Sequence, residues 1–231
     1  MTRPGDLEIK IAASVLHLEG KGLGEIGGLS LDADDPEGTT WLIAAVTGVV
    51  DDVEDVIIPG AFARTLTKRQ VKGCVGHEWN RQAAIQRAAI ELLPGDPRLP
   101  SHTLAPDGTE VPWPTAAGAL AIKASYMLDT TEGRDAWGRA KANGGHQAYS
   151  IGYRVVPDKT HLDGKGIRHI GDLDVFEFSD VLHGAHPLAR GITVKTGEAP
   201  GMETKALRYV RDADYWGYPM GTPITARMRP R

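Results

Sequence analysis

The chain has 231 residues, a formal net charge of −4 and a hydrophobic content of 41%. This length and composition favour one globular domain, and the acidic balance favours no nucleic-acid partner. No apolar run approaches the roughly 20 residues of a membrane span, so no membrane partner is expected. The single cysteine, Cys74, excludes an internal disulfide and is typical of a reducing compartment.

The first half of the chain is predicted to form strands around one short helix. Alternation of apolar and polar residues predicts a strand over residues 7–18, and a strongly apolar run predicts another over 41–50. Further strands are predicted over 71–79 and 84–92. Pro59 opens a helix over residues 61–69, with Phe62 and Leu66 four residues apart on its buried side. The prolines of residues 94–118 predict a long irregular insertion, a feature that is usually functional or disordered in a compact domain.

The second half adds strands and one longer helix. Thr130 or Thr131 can cap a helix that runs to about Asn143, where two glycines end it. The remaining pattern predicts strands over residues 119–128, 148–156, 167–181 and 191–194, with a polar hairpin loop over 158–165. The expected fold is therefore mainly β with flanking helices, of the α+β class. Residues 1–195 would form the domain and residues 196–231 a tail.

The strand over residues 148–156 carries a serine in an unusual setting. Tyr149, Ile151 and Tyr153 point to one side of it, and Ser150 and Gly152 point to the other. Small side chains beside a hydroxyl leave room for a substrate backbone against a nucleophile. A serine in a strand is usually only structural, so this interpretation needs a base and an orienting acid elsewhere in the chain.

His77 and Glu177 are the candidates for those two roles. His77 ends a predicted apolar strand and is expected near a rim, where a neutral imidazole can accept a proton. Glu177 lies among apolar residues, where an unpaired carboxylate is costly to bury, so it requires a partner. Two alternatives remain open at this point. His77 can be an ordinary polar surface residue, and Glu177 can pair with Arg154 or Lys123.

The sequence also contains the residue types of two other kinds of site, a metal centre and a cysteine–histidine pair. A metal-dependent hydrolase could use four histidines of the second half, His161, His169, His183 and His186, but no cysteine–histidine spacing of a zinc site accompanies them. Cys74 stands three residues before His77, so in a continuous strand the two would face opposite sides, and Cys74 is expected to be a small core residue. No metal and no cofactor are predicted.

An ordered set of short motifs carries a family resemblance. The motifs are Ile57-Ile58-Pro59-Gly60-Ala61-Phe62, Gly76-His77-Glu78-Trp79, Tyr149-Ser150-Ile151-Gly152-Tyr153 and Val175-Phe176-Glu177-Phe178-Ser179-Asp180-Val181. With them, the chain resembles the prohead (capsid maturation) serine proteases of tailed bacteriophages over roughly residues 10–195. These enzymes are similar in fold to the herpesvirus assembly protease. Glu78 and Gln86 depart from the residues that many members have at those positions.

The resemblance implies an antiparallel β-barrel and a catalytic set of His77, Ser150 and Glu177. His169 and Asp174 are the alternatives for the third member. Gly152 and Arg190 are candidate substrate or oxyanion residues, beside backbone amides that would hold the oxyanion.

The resemblance also implies a function in virion maturation. The protein would be a serine endopeptidase that cleaves scaffold, or the scaffold-like arm of the major capsid protein, inside the prohead in the bacterial host cytoplasm. Self-cleavage within residues 196–231 is also implied. Its partners would be the capsid and scaffolding proteins, with a homodimer by analogy to the herpesvirus enzymes. The alternative function is a catalytically inactive barrel that serves as a capsid-assembly module.

Overall fold

The structure is a computed structural model that describes residues 8–11, 29–104, 110–143, 147–184, 186, 188–189 and 191–194. It is mainly β, with 45% strand and 15% helix, a curled half-barrel sheet and two helices. This confirms the mainly β, α+β expectation. None of the helices in these ranges is long and apolar enough to cross a membrane. The predicted tail over residues 196–231 lies outside the described residues.

The described elements follow in chain order. The strands are β1 (Glu8–Ile11), β2 (Thr39–Thr47), β3 (Asp55–Ile57), β4 (Lys72–Val75), β5 (Glu78–Leu92), β6 (His102–Leu104), β7 (Glu110–Pro112), β8 (Gly118–Tyr126), β9 (Ala148–Val155), β10 (Thr160–Leu162), β11 (Arg168–Ile170), β12 (Leu173–Val181) and β13 (Gly191–Val194). The helices are α1 (Ala63–Lys68) and α2 (Thr131–Asn143), with a short 3-10 turn at Pro157–Lys159.

Eight strands form the main sheet, in the order β1-β9-β12-β4-β5-β8-β2-β13. Within this described sheet, neighbouring strands are antiparallel except β12 and β4, which run parallel. Strands β10, β11 and β3 form a second sheet, and β6 pairs with β7. The parallel contact places β12, which carries Glu177, directly beside β4, which leads to His77.

Apolar residues are buried on both faces of the central strands. In β2, Leu42 and Ala44 pack into one apolar cluster, whereas Trp41 and Ile43 pack into another on the opposite face. Every residue of β2 and of β8 is buried. Because both faces of these strands are buried, their sequences are nearly continuous apolar runs.

Both predicted helices are present. Helix α2 is capped as expected, because the Thr130 hydroxyl accepts a hydrogen bond from the Gly133 backbone N–H at 3.1 Å. Before helix α1, the Glu91 carboxylate accepts hydrogen bonds from the backbone N–H groups of Gly60 and Phe62. Phe62 is fully buried in the core, as predicted, and Leu66 is partly buried against it.

Three regions differ from the predicted elements. The insertion over residues 94–118 is not wholly irregular, because it contains the β6–β7 pair and a buried Trp113 whose indole N–H donates to the Ala117 carbonyl. The predicted hairpin loop over 158–165 contains β10, which pairs with β11. The predicted strand over 167–181 is broken at Gly171 and Asp172 into β11 and β12, which belong to different sheets. Apolar periodicity alone does not show which sheet a strand joins.

Candidate catalytic site

Strand β9 buries its aromatic side as predicted. Tyr149, Ile151 and Tyr153 are all buried in the core, with no more than 2% exposure each. Ser150 is also fully buried, on the opposite side of the strand. The register pairs Ser150 with Ser179 of β12, and Gly152 with Glu177. Because residues directly opposite in a sheet share a face, all four lie on one face.

A bulge in β12 puts Glu177 on that face. The register of β12 against β9 shifts between Val175 and Glu177, which leaves Phe176 as the extra residue. Val175 is therefore buried in the core with Phe178, whereas strict alternation would put Val175 on the same face as Glu177. The bulge thus turns Glu177 and Ser179 away from the core and towards Ser150.

His77 lies in a tight turn, where the sequence predicts the end of a strand. Val75 pairs with Glu78, so Gly76 and His77 form a two-residue hairpin turn between β4 and β5. Their φ angles are 58° and 63°, the positive values that a type I′ turn requires. A positive φ is uncommon for a residue other than glycine. The predicted strand over residues 71–79 is therefore interrupted at Gly76 and His77, and its last two residues belong to β5.

The turn is tied to β12 by two hydrogen bonds. The Gly76 backbone N–H donates to the Asp180 carbonyl at 2.9 Å, and the His77 backbone N–H donates to the Ser179 hydroxyl at 3.0 Å. Ser179 stands opposite Ser150 in the neighbouring strand. These contacts bring His77, predicted only from its place in the sequence, to the same part of the sheet as Ser150 and Glu177.

The His77 ring is held by Glu177. Nδ1 of His77 lies 2.6 Å from Oε1 of Glu177, and the two side chains are only 8% and 2% exposed. An ionised carboxylate can only accept hydrogen bonds, so Nδ1 carries the hydrogen and Nε2 of the neutral ring is left as an acceptor. The ring is thereby fixed in the tautomer that can accept a proton at Nε2.

Two buried polar atoms at this site have no hydrogen-bond partner within the described residues: Nε2 of His77 and Oγ of Ser150. Leaving such atoms unpaired is energetically costly, and most buried polar atoms in folded proteins are paired. No hydrogen bond joins these two atoms to each other within the described residues, so each is open to a hydrogen bond with a bound group.

Ser179 is the residue of this site that the sequence interpretation missed. Its hydroxyl donates to Oε2 of Glu177 at 2.6 Å while accepting from the His77 backbone N–H. It is fully buried. The available signal was its position two residues after Glu177 in the same strand, which puts both side chains on one face.

Gly152 has a different neighbour from the one expected. A Cβ atom built at position 152 would overlap the Glu177 carboxylate. The space left by the missing side chain is therefore filled by Glu177, which can reach His77 only because residue 152 is a glycine. Arg190, the other candidate oxyanion residue, lies outside the described residues.

The residues considered as alternative partners of Glu177, and as alternative third members of the catalytic set, contact other groups. Lys123 pairs with Asp32 and Asp35, and the Arg154 guanidinium lies over the ring of Phe176. Asp174 pairs with Arg64, and His169 stacks on His161. Within the described residues, Glu177 is thus the carboxylate that meets His77.

The candidate metal and cysteine sites can also be compared with the structure. The part of the chain that is described contains no group of three or more histidine, cysteine, aspartate or glutamate residues arranged to hold a metal ion. Cys74 is buried, as predicted, and burial together with the nearby Glu177 charge raises the pKa of its thiol to about 11. The thiol is therefore protonated near neutral pH and is a poor nucleophile.

Comparison of the chain with models of protein families, with curated proteins and with solved structures finds no match.

Proposed function

We propose that the protein is a serine endopeptidase in which Ser150 is the nucleophile, His77 the general base and Glu177 the group that orients His77. One observation carries the proposal: Glu177 holds Nδ1 of His77 at 2.6 Å, while Nε2 and the Ser150 hydroxyl are buried without a hydrogen-bond partner among the residues that the structure describes. A nucleophile, a base and an orienting carboxylate are the parts that acyl transfer requires.

The proposed reaction has two halves. The Ser150 oxygen attacks the peptide carbonyl carbon while its proton passes to Nε2 of His77, and the Glu177 carboxylate stabilises the imidazolium that forms. His77 then gives this proton to the leaving amine, and the C–N bond breaks to leave an acyl-enzyme. Water, deprotonated by His77, hydrolyses the ester and restores Ser150. Backbone amides would stabilise the oxyanion in both halves.

The biological setting is also a proposal, and it rests on the motif resemblance to prohead proteases. Substrates would be scaffold or the scaffold-like arm of the capsid protein, inside the assembling prohead in a bacterial cytoplasm. The chain would also cut itself within residues 196–231, and it could form a homodimer. The curled sheet would correspond to the antiparallel β-barrel of the herpesvirus assembly protease. The parallel β12–β4 pair departs from a wholly antiparallel sheet.

A catalytically inactive assembly module is the second candidate. The observation that favours it is the full burial of Ser150, because a substrate carbonyl must reach that oxygen. The two candidates differ in whether peptide bonds are broken in a Ser150-dependent manner.

The deciding experiment compares the wild-type chain with Ser150→Ala, each co-expressed with its capsid protein and analysed by intact mass. We expect discrete fragments of the capsid protein or of the chain in the wild type and none in Ser150→Ala. Identical fragments from both would contradict the role of Ser150. An absence of fragments in both, repeated inside assembled proheads, would favour the inactive module.

A further inference from the structure

Strand β12 has two different kinds of neighbour along the edge that faces away from β9. Its second half pairs with β4, and within the described residues this pairing begins at Glu177, opposite Lys72. Its first half begins at Leu173 and pairs with β9 alone among the described strands. The edge of a sheet leaves backbone N–H and C=O groups without strand partners. The buried first half of β12 therefore needs other partners on this edge.

Thr65 of helix α1 provides these partners. Its hydroxyl donates to the Leu173 carbonyl at 2.9 Å and accepts from the Val175 backbone N–H at 3.0 Å. Threonine can fill both roles because a hydroxyl is both a donor and an acceptor. Thr65 is 1% exposed and Leu173 and Val175 are fully buried, so bulk water does not reach these groups. One side chain thus does for the first half of β12 what β4 does for the second half.

Ion pairs attach the same helix to the same part of β12. Nε of Arg64 donates to Asp172 at 3.0 Å, and Nη1 of Arg64 donates to Asp174 at 2.8 Å. Asp172 and Asp174 stand on either side of Leu173, whose carbonyl accepts from Thr65. The ion pairs are partly exposed, and pairs of that kind contribute little energy. The buried hydroxyl is therefore the contact that fixes this stretch of strand.

The contact with Thr65 lies immediately before the bulge of β12. Val175, which binds Thr65, is followed by Phe176, the extra residue of the bulge, and then by Glu177. Strict alternation would place Val175 and Glu177 on the same side of the strand, so the bulge is what brings Glu177 within reach of His77. A slip of one residue turns every side chain of a strand to the other face. Val175 must therefore stay in the core for Glu177 to meet His77.

We propose that Thr65 is a positioning residue of the candidate site. By binding Leu173 and Val175 it fixes the place of the bulge, and the bulge holds the Glu177 carboxylate at Nδ1 of His77. Thr65 would thus act through β12, to which both of these hydrogen bonds go. The effect on the His77–Glu177 pair needs no catalysis, whereas the effect on cleavage rests on the proposed peptidase function.

The hydrogen bond between His77 and Glu177 can be followed by proton NMR. The Nδ1 hydrogen of a ring bound to a carboxylate at 2.6 Å is strongly deshielded and resonates downfield of the amide protons. The signal is recorded in the uncleaving variant Ser150→Ala and is assigned by its loss in His77→Gln. We expect Thr65→Val, which keeps the shape of threonine without its hydroxyl, to shift this signal upfield or to broaden it beyond detection. Thr65→Ser, which keeps the hydroxyl, should retain the signal.

Thr67→Val is the matched control. Thr67 lies in the same helix and is exposed, and its hydroxyl donates to the Arg64 carbonyl instead of to β12. The variant loses the same chemical group from the same helix, so the downfield signal should stay as in the wild type. If circular dichroism shows that Thr65→Val does not fold, Thr65→Cys takes its place, because a thiol is only a weak donor and acceptor. The same loss of signal is expected from it.

The same substitutions are then compared by steady-state cleavage of a peptide in the background that retains Ser150. Thr65→Val should lower kcat about tenfold to a hundredfold with little change in KM, because a misplacement of about 1 Å can cost roughly a hundredfold in rate. Thr65→Ser should recover most of the lost kcat, and Thr67→Val should match the wild type.

The remaining outcomes separate this proposal from the proposed function. A folded Thr65→Val protein that is less stable but keeps the downfield signal would show a merely structural role and overturn the proposal. A signal that is absent from the unsubstituted Thr65 protein, that Thr67→Val removes equally, or that Thr65→Ser fails to retain would also overturn it. A signal that depends on the Thr65 hydroxyl in a protein that cuts nothing would retain the positioning role and reject the peptidase. Conversely, Ser150-dependent cleavage with a signal that ignores Thr65→Val would retain the peptidase and reject the role of Thr65.

Discussion

Ser179 forms hydrogen bonds to both His77 and Glu177, whose relative positions the proposed mechanism requires to be fixed. Its hydroxyl donates to Glu177 at 2.6 Å and accepts from the His77 backbone N–H at 3.0 Å. A hydroxyl can do both because it carries one hydrogen and two lone pairs. Ser179 therefore fixes the carboxylate and the turn relative to each other, and we assign it as a positioning residue.

Replacing Ser179 by alanine should lower kcat without changing KM. The change removes a hydrogen bond to a buried carboxylate and leaves the His77 backbone N–H unpaired. We expect the transition state to lose about 1.5–3 kcal/mol of stabilisation, which lowers kcat roughly tenfold to a hundredfold. The measurement is steady-state cleavage of a peptide spanning a mapped cut site.

The conservative variant Ser179→Thr serves as the control, because threonine keeps the hydroxyl and suits a strand. We expect it to recover most of the lost kcat. A Ser179→Ala enzyme with unchanged kcat, or a threonine variant as slow as the alanine variant, would contradict the positioning role.

At the scale of elements, the β4–β5 hairpin decides where the histidine lies. Its turn consists of Gly76 and His77, both with positive φ. The Gly76 backbone N–H donates a hydrogen bond to the Asp180 carbonyl of β12. A longer or looser loop would let the imidazole swing away from Glu177. A short turn in an uncommon backbone conformation thus holds the proposed base.

Gly76→Ala tests this element separately from any side-chain contact. A Cβ at position 76 meets no atom of the described residues within 4 Å, so the cost of the substitution comes from the positive φ. We expect a loss of about 1 kcal/mol in the free energy of unfolding, measured by urea denaturation, together with slower cleavage.

Gly138→Ala is the matched control for that prediction. Gly138 lies in helix α2, where a Cβ likewise meets no atom within 4 Å in the part of the chain that is described, but its φ is not positive. Alanine should stabilise this position by about 0.5–1 kcal/mol and leave cleavage unchanged. If both substitutions stabilise the protein, the turn is not under the backbone constraint described here.

At the scale of the whole molecule, a buried polar cluster lies on the opposite side of the sheet from the candidate site. The Tyr126 hydroxyl donates to Asp180 at 2.9 Å and lies 3.0 Å from the Tyr149 hydroxyl. Burial raises the pKa of Asp180 to about 7, despite the opposing effects of the Tyr126 hydrogen bond and the Arg139 charge. Asp180 adjoins Ser179 in β12, so the core and the candidate site share one strand.

The raised pKa makes stability depend on pH in a defined direction. An aspartate in the unfolded chain titrates near pH 4, so between about pH 4 and pH 7 the folded protein binds more protons at Asp180 than the unfolded chain does. The contribution of Asp180 to the free energy of unfolding is therefore largest at low pH and falls as the pH rises to about 7, by at most about 1.4 kcal/mol per pH unit.

The measurement is urea unfolding at pH 5 and pH 8 for the wild type, Asp180→Asn and Asp158→Asn. Asparagine cannot titrate, so the stability of Asp180→Asn relative to the wild type should rise by a kcal/mol or more between the two pH values. The exposed Asp158 serves as the control and should show no such change. Parallel pH dependence in all three proteins would show that Asp180 keeps the same charge throughout.

Some features of this protein follow from local sequence alone. The alternation around Ser150 predicts that Tyr149, Ile151 and Tyr153 lie on one side of β9 and Ser150 on the other, and the structure has this arrangement, because side chains in a strand point to opposite faces in turn. The cap at Thr130 and the end of α2 at Asn143 could also be predicted from the sequence, since capping depends on a few adjacent residues. Charge, cysteine content and the burial of Cys74 also needed no knowledge of distant contacts.

Only the tertiary structure decided how the candidate site is assembled. The register between β9 and β12, the parallel contact of β12 with β4 and the bulge at Phe176 bring together residues that are more than 100 positions apart, such as Glu177 and Lys72. A bulge reverses the alternation on which a face assignment depends, and a two-residue turn moves His77 out of the predicted strand. Strand pairing and turn geometry are set by contacts across the sheet, so periodicity within one segment cannot specify them.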